Sequence, residues 1–366
     1  MENSTVSNYE RVPSLGVVDY VLISAYVFVI TIGFGGNTLV LLVVKRKRSM
    51  HTTTNYLLAN LSAADLLTLL WCIPGLVTSY TLHPQGNLGD FLCKFVTMHH
   101  VAGITLLVSG ITLTVLAVER YKALFYPLAV RLTLTRKNVK YPIVCIWLLS
   151  IAYVVPLFVG ERFNQKVKFC EIVWPGENQA LASIIYWGIL AFITSVSFII
   201  ILFCYFNIIK GIYFTKTICS RGSTHSRDSE GSEKRKIVKL LLTVTLVFLV
   251  CFIPFCVMSV LLLDARYALS YKLCYFLVYC SSSLNPFIYA FHSSNYREAF
   301  RDILVKMTET LHCDFPKRWS NRCSNKMSDL ELRATYHPSN EMAQIPPALD
   351  PQNQAKLLSF KRLEKQ

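Results

Sequence analysis

The chain has 366 residues, 53% of them hydrophobic and only 16% charged, with a mean hydropathy of +0.41, which excludes a soluble protein of this size. Its net charge is +15, and in a membrane chain an excess of Lys and Arg marks cytoplasmic loops ahead of nucleic acid, so no nucleic-acid partner is expected. The twelve cysteines contain no CxxC pair, which argues against a zinc site.

Residues 1–19 are polar, carry the sequon Asn3-Ser4-Thr5 and lack an apolar core of signal-peptide length, so the first span must insert the protein itself. A helix needs about 20 apolar residues to cross the hydrocarbon. Seven segments qualify, near 20–44, 55–80, 94–125, 139–159, 180–213, 236–263 and 269–291. The cations of the short connections lie on one side: Lys45 to Arg48, then Arg131, Arg136 and Lys137, then Lys216, Arg221, Arg227, Lys234, Arg235 and Lys236. That side is the cytoplasm. An odd number of spans then puts the N-terminus outside, where Asn3 is a glycosylation site, and the C-terminus inside. A second sequon, Asn60-Leu61-Ser62, falls within a span and should stay bare.

Cys72, Cys145, Cys204, Cys251, Cys256 and Cys280 lie in apolar runs, where cysteine packs as a small hydrophobe. Cys93 and Cys170 each fall in a polar connection on the outer, oxidising side, and a disulfide between them is predicted. The loop at 214–233 is rich in Ser, Gly and charge and reads as flexible. After the last span, residues 294–305 repeat Tyr296, Phe300 and Leu304 at helical spacing, which predicts a short amphipathic helix on the membrane surface. The organisation expected is an extracellular N-terminus over 1–19, a seven-helix domain over 20–305 and a disordered cytoplasmic tail over 306–366.

The polar residues inside the spans carry the chemistry. Asp65 is the acid deep in an apolar run; it either stays protonated or is neutralised by a cation or hydrogen-bond donors. Asn37, Ser109, Ser281, Ser282 and Asn285 stand at depths that let them converge on it, an oxygen set suited to a sodium ion. Pro254 and Pro286 interrupt the sixth and seventh spans as hinges or as static bends. At the end of the third span comes Glu119-Arg120-Tyr121. An arginine at mid-membrane costs about 2.5 to 3.5 kcal/mol, so one at the edge of a span needs a partner. Glu119 is the obvious one, although adjacent helical residues do not face each other. Arg120 must curl sideways to reach it, which suggests a releasable switch; the alternative is a plain polar helix end.

In these residues the chain resembles the rhodopsin-like family of G-protein-coupled receptors over about 20–305. The motifs run in order: Gly36-Asn37, Leu61 to Asp65, Glu119-Arg120-Tyr121 with Pro127 after it, Trp147, Tyr205, Phe248 through Pro254, and Asn285-Pro286-Phe287-Ile288-Tyr289. The resemblance implies an all-α membrane protein, a seven-transmembrane helix bundle with a surface helix. It implies no catalysis, and it implies a coupling switch built from Glu119, Arg120, Tyr121, Tyr205, Phe252, Pro254, Asn285, Pro286 and Tyr289. It also implies an allosteric sodium ion at Asp65, Ser109, Ser281 and Asn285 as the sole candidate cofactor, and a Cys93–Cys170 bridge pinning the second outer loop. Palmitate on Cys313 belongs to the same pattern. Partners would be a heterotrimeric G protein, arrestin, receptor kinases and membrane lipids, at the plasma membrane.

Three positions depart from the family pattern. Phe252 stands where a tryptophan is usual, and Ser197 stands where a proline usually bulges the fifth span. Cys93 precedes Arg120 by 27 residues, two more than usual, which requires a later helix start or a bulge.

The ligand is expected to be a neuropeptide. The window Met98 to Thr105 holds no acid to pair with an amine, and Tyr279 occupies the place where opsins need a lysine. The segment Phe163 to Trp174 partly alternates around Cys170 as a β-hairpin would, like the lid of neuropeptide receptors of the thyrotropin-releasing-hormone, ghrelin and galanin sort. By position in the family, the pocket would draw on Tyr80, His99, His100, Phe252, Phe255, Cys256, Ser259, Tyr271, Tyr275 and Tyr279. That aromatic lining with few charges suits an apolar or amidated peptide end. A lipid or small-molecule receptor, and more distantly a transporter, are the alternatives.

Overall fold

The computed structural model describes residues 15–81, 84–126, 134–166, 169–214, 227–261 and 268–309. Contacts divide the chain into two units, Met1–Val305 and Lys306–Gln366, and the first holds the long helices. Its long helices are α1 (Val17–Arg46), α2 (Thr53–Ser79), α3 (Gly86–Phe125), α4 (Lys140–Gly160), α5 (Gln179–Ile209), α6 (Arg227–Leu261) and α7 (Ala268–His292). Helix α8 follows over 294–309. Between α4 and α5 lies a hairpin of β1 (Glu161–Asn164) and β2 (Phe169–Ile172), antiparallel with Phe163 opposite Cys170. The first six long helices are apolar enough to cross a membrane. Helix α7 has the length but carries the polar run Ser281, Ser282, Ser283 and Asn285. In lipid every backbone group must be satisfied within the segment, which is why these runs are helices and, among the described residues, the sheet is confined to a connection.

The helices pack in a ring: α1 on α2 and α7, α2 on α3 and α7, α3 on α4 and α5, α6 on α7. Apolar side chains point both ways, into a core around Val40, Leu57, Leu61, Leu113, Leu116, Leu241 and Tyr289 and outward at Ile184, Phe192, Val250 and Phe291. Between helices the specificity is polar. Asn37 donates to the carbonyls of Gly33 at 2.9 Å and Ser282 at 2.8 Å, and Ser283 donates to Val29 at 2.9 Å. Gly36 lets α1 meet α7 closely, since a Cβ there would lie 2.8 Å from the Pro286 ring. Asn60 is buried, donating to Thr112 at 2.9 Å and accepting from the Trp147 indole at 2.9 Å, so the second sequon is sealed inside the bundle.

Helix α3 is not a single α-helix. It begins at Gly86, earlier than hydropathy suggests, passes through a π stretch at Cys93–Thr97 and breaks at His99, whose φ of 54° is left-handed. It resumes as α-helix from His100 to Phe125. Of the two ways to place the extra residues after Cys93, the chain takes the bulge. By contrast α5 runs as unbroken α-helix through Ser197 and opens into a π stretch only at Lys210–Phe214.

The face of α8 needs correcting. Tyr296, Ala299, Phe300 and Ile303 are its buried stripe, whereas Leu304 is 51% exposed. The true period is i, i+3, i+4, i+7, and Leu304 falls one position outside it. Cys145, expected to pack inside, is exposed on α4, while the unremarked Cys274 is buried.

Candidate ligand cleft and coupling end

Two ends of the bundle carry chemistry: the hairpin end, and the opposite end, where Arg120 stands near the close of α3.

At the hairpin end, β1 continues from α4 without a loop, because Gly160 ends the helix and Glu161 opens the strand. Cys93 in the π stretch is disulfide-bonded to Cys170 in β2, and the Phe163 amide donates to Asp90 Oδ1 at 2.8 Å. The hairpin is thus moored to both α3 and α4.

Beside it the expected aromatic residues meet. Tyr279 shares a hydrogen bond with His99 Nδ1 at 3.0 Å. Ring centres run on from His99 to Tyr275 (5.0 Å), Tyr275 to Phe255 (4.9 Å), Phe255 to Phe252 (6.1 Å) and Phe252 to Phe248 (5.4 Å). These spacings fall in the range of favourable aromatic pairs. One chain of rings therefore links α3, α7 and α6, and Tyr26 of α1 adds to it through Tyr279 at 5.8 Å. Gly75 of α2 makes room: a Cβ there would lie 2.4 Å from the His99 ring. Cys256 stands half-buried next to Phe255.

Two residues of the expected pocket lie apart from this chain. Tyr80 sits at the mouth, donating to Asp19 Oδ1 at 3.2 Å. His100 turns toward α4, with Nε2 3.2 Å from Glu161 Oε2 and its ring 5.4 Å from Phe158. Glu161 is fully buried and its other oxygen has no partner. Asp65 is therefore not the only buried acid. Hydropathy hides Glu161 because it stands at the very end of a span, where acids are ordinary.

In the middle of the bundle Asp65 is 2% exposed and accepts a hydrogen bond from Asn285 Nδ2 at 2.7 Å. Ser109 and Ser281 are buried too. Ser281 directs its hydroxyl to the Val278 carbonyl at 2.7 Å. The donor set of carboxylate, hydroxyl and amide oxygen fits a hard monovalent cation. In this conformation Asn285 offers N–H to Asp65, Ser281 is engaged with Val278, and Ser282 is the other side chain that hydrogen-bonds Asp65.

At the opposite end Arg120 reaches back to its neighbour Glu119 through two bonds, Nε to Oε2 at 2.6 Å and Nη2 to Oε1 at 3.0 Å. The same Nη2 also donates to Thr54 of α2. Thr54 was not among the expected residues; its hydroxyl looks like one more helix-start threonine. Tyr205 bonds Thr245 of α6 at 3.2 Å. Tyr289 is fully buried with an unpartnered hydroxyl and stacks 5.3 Å from Tyr296. Tyr121 packs outward on Phe203 of α5 at 5.6 Å. Pro254 and Pro286 lie inside α6 and α7, and α2 and α4 carry Pro74 and Pro156 as well. Asn3, Pro127 and Cys313, and the side chains of Ser259 and Tyr271, lie outside the described residues.

The family model described as "7 transmembrane receptor (rhodopsin family)" matches residues 36–289. Among curated proteins the chain is similar to galanin receptor type 1 of Homo sapiens, 31% identical over 303 residues, covering 79% of this chain and 83% of that protein. It is also similar to neuropeptide Y receptor type 2 of Bos taurus, 32% identical over 299 residues, covering 77% and 75%. Galanin receptor type 1 of Mus musculus is 30% identical over 300 residues, covering 79% and 83%.

Proposed function

The chain belongs to the rhodopsin family of seven-transmembrane receptors, and on that premise we propose that it binds a peptide at the hairpin end and passes the signal through α6 to a G protein at the Arg120 end. It is a receptor, not an enzyme, and works by population shift: an agonist must bind the active arrangement better than the resting one.

The observation that carries the peptide assignment is the ring chain from His99 and Tyr275 to Phe252 and Phe248. It joins an aromatic cleft under a moored hairpin to the Pro254 segment of α6, so an apolar peptide end in the cleft pushes on the helix that must move. Phe252 serves in the place of the usual tryptophan, stacked on Phe248. The relatives' names, galanin and neuropeptide Y receptors, support the same ligand class. The doubly bonded Glu119–Arg120 pair represents the resting state. Outward movement of α6 frees Arg120 to meet Tyr205, Tyr289 and the G protein.

Around this core we assign the remaining parts. The hairpin end and residues 1–19 face the outside, with Asn3 glycosylated; residues 306–366 form a disordered cytoplasmic tail. Asp65, Ser109, Ser281 and Asn285 hold a sodium ion in the resting state. Cys313 carries palmitate, and kinases and arrestin act on the inner loop and tail.

The deciding experiment is a synthetic peptide-library screen in cells reporting calcium and cAMP. Agonist responses from a peptide subset are expected. Silence toward peptides, with responses to lipids, would overturn the assignment.

A further inference from the structure

The mouth of the cleft holds a charged group that neither the coupling switch nor the aromatic chain uses. Lys272, near the start of α7, places Nζ 2.9 Å from Asp19 Oδ1 of α1 and 5.1 Å from the centre of the Tyr80 ring of α2. Tyr80 donates to the same Oδ1 at 3.2 Å, and the Gly16 amide donates to Oδ2 at 3.1 Å. Both oxygens of Asp19 are thus engaged. An ammonium carries three N–H donors, and the Lys272 side chain is 44% exposed against 22% for Asp19. The more exposed capacity left over at the mouth is that of the ammonium.

Lys272 also stands directly over the cleft. Tyr275 and Tyr279 follow it at i+3 and i+7, on the same face of α7, and both meet His99. Tyr26 follows Asp19 at i+7 on α1 and meets Tyr279. A ligand reaching the rings passes the ammonium.

Resting on the peptide assignment above, we propose that Lys272 is a specificity-determining residue that receives a carboxylate of the peptide, either a free C-terminus or an Asp or Glu side chain, while an apolar part of the same peptide enters the aromatic floor. Asp19 and the face of Tyr80 position the ammonium, the ring through a cation–π contact. A cationic peptide end is disfavoured, because Lys272 stands more exposed than Asp19, three of whose roughly four acceptor positions are already filled.

The test uses the full-length receptor in cells, wild type and Lys272→Gln matched for surface level, against the synthetic peptide library. Each agonist is remade with its carboxylates neutralised one at a time, as the C-terminal amide or by Asp→Asn and Glu→Gln. For one carboxylate, neutralisation is expected to cost about tenfold in potency on wild type, the scale of a charge-assisted hydrogen bond at a half-exposed site. It should cost nothing further on Lys272→Gln, while Lys272→Arg keeps the discrimination. Agonists without a carboxylate acting at full potency, or an equal loss on both receptors, would overturn the inference and leave the peptide assignment standing. A library without any agonist overturns both.

Discussion

His99 of α3 and Tyr279 of α7 share a hydrogen bond of 3.0 Å, and His99 is the residue whose left-handed backbone interrupts α3. A non-glycine residue in that region costs of order 1–3 kcal/mol and persists only when its surroundings hold it. Here the holding comes from Tyr279, Tyr275 and the absent side chain of Gly75. The proposed ligand cleft is therefore built on a strained joint, coupled to α7.

Gly75→Ala tests that joint. Its Cβ must displace the His99 ring, so the variant is expected to lose about 1–3 kcal/mol of stability, the usual scale of overpacking, and agonist potency with it. The check is the thermal midpoint in detergent together with an agonist concentration–response curve. Gly75→Ala combined with His99→Ala should recover the midpoint but not the potency; recovery of both would show that His99 has no part in ligand recognition.

Arg120→Ala should abolish G-protein activation at equal surface level. Glu119→Gln and Thr54→Ala act in the opposite direction, since each removes a bond that holds Arg120 back. If each bond is worth ~1 kcal/mol at this half-buried site, the resting-to-active ratio shifts by about fivefold. Raised basal nucleotide exchange measured in membranes is the expected result. Unchanged basal activity in both variants would mean that the pair is only a polar helix end.

Asp65→Asn should remove the effect of sodium on agonist affinity, measured by radioligand displacement with sodium or a large organic cation as the salt. The amide keeps a hydrogen bond to Asn285, so folding should survive. Sodium sensitivity equal to wild type would place any cation elsewhere.

Cys170→Ser unties the hairpin from α3. Closing a ring of 77 residues stabilises a chain by about 2–4 kcal/mol, so surface expression should fall. The receptors that do arrive should bind agonist weakly. Normal affinity in that fraction would show that the hairpin has no part in the cleft.

Hydropathy sufficed to place most span ends within a few residues, because a bilayer admits only long apolar helices or closed barrels, but α3 starts at Gly86 and α6 at Arg227, each well before the apolar run. The hairpin was legible from alternation around Cys170, and the Glu119–Arg120 contact from a charge that needed a partner. The break in α3 was legible only as two surplus residues, since nothing in Met98-His99 marks a left-handed turn the way glycine would. Asn60 read merely as a sequon that must stay bare, although it bonds both Thr112 and Trp147. Thr54 and Glu161 sit at helix ends, where hydroxyls and acids are common, and their partners Arg120 and His100 are 66 and 61 residues away. The Asp19 to Lys272 bridge spans 253 residues. Pairings of that separation depend on how helices are arranged around the ring, which local pattern does not encode.

The disulfide at Cys93 also sorts the helices mechanically. The stretch it closes contains most of α3, the whole of α4 and the first hairpin strand, while α5, α6 and α7 lie outside it. Two of the seven long helices are therefore held in a covalent loop, and the other five lie outside it. On the proposed mechanism, work done by a ligand in the cleft goes into the helices that the loop does not tie. The closed loop, carrying Arg120 on its longest helix, would then be the fixed anvil against which the proposed movement of α6 is levered.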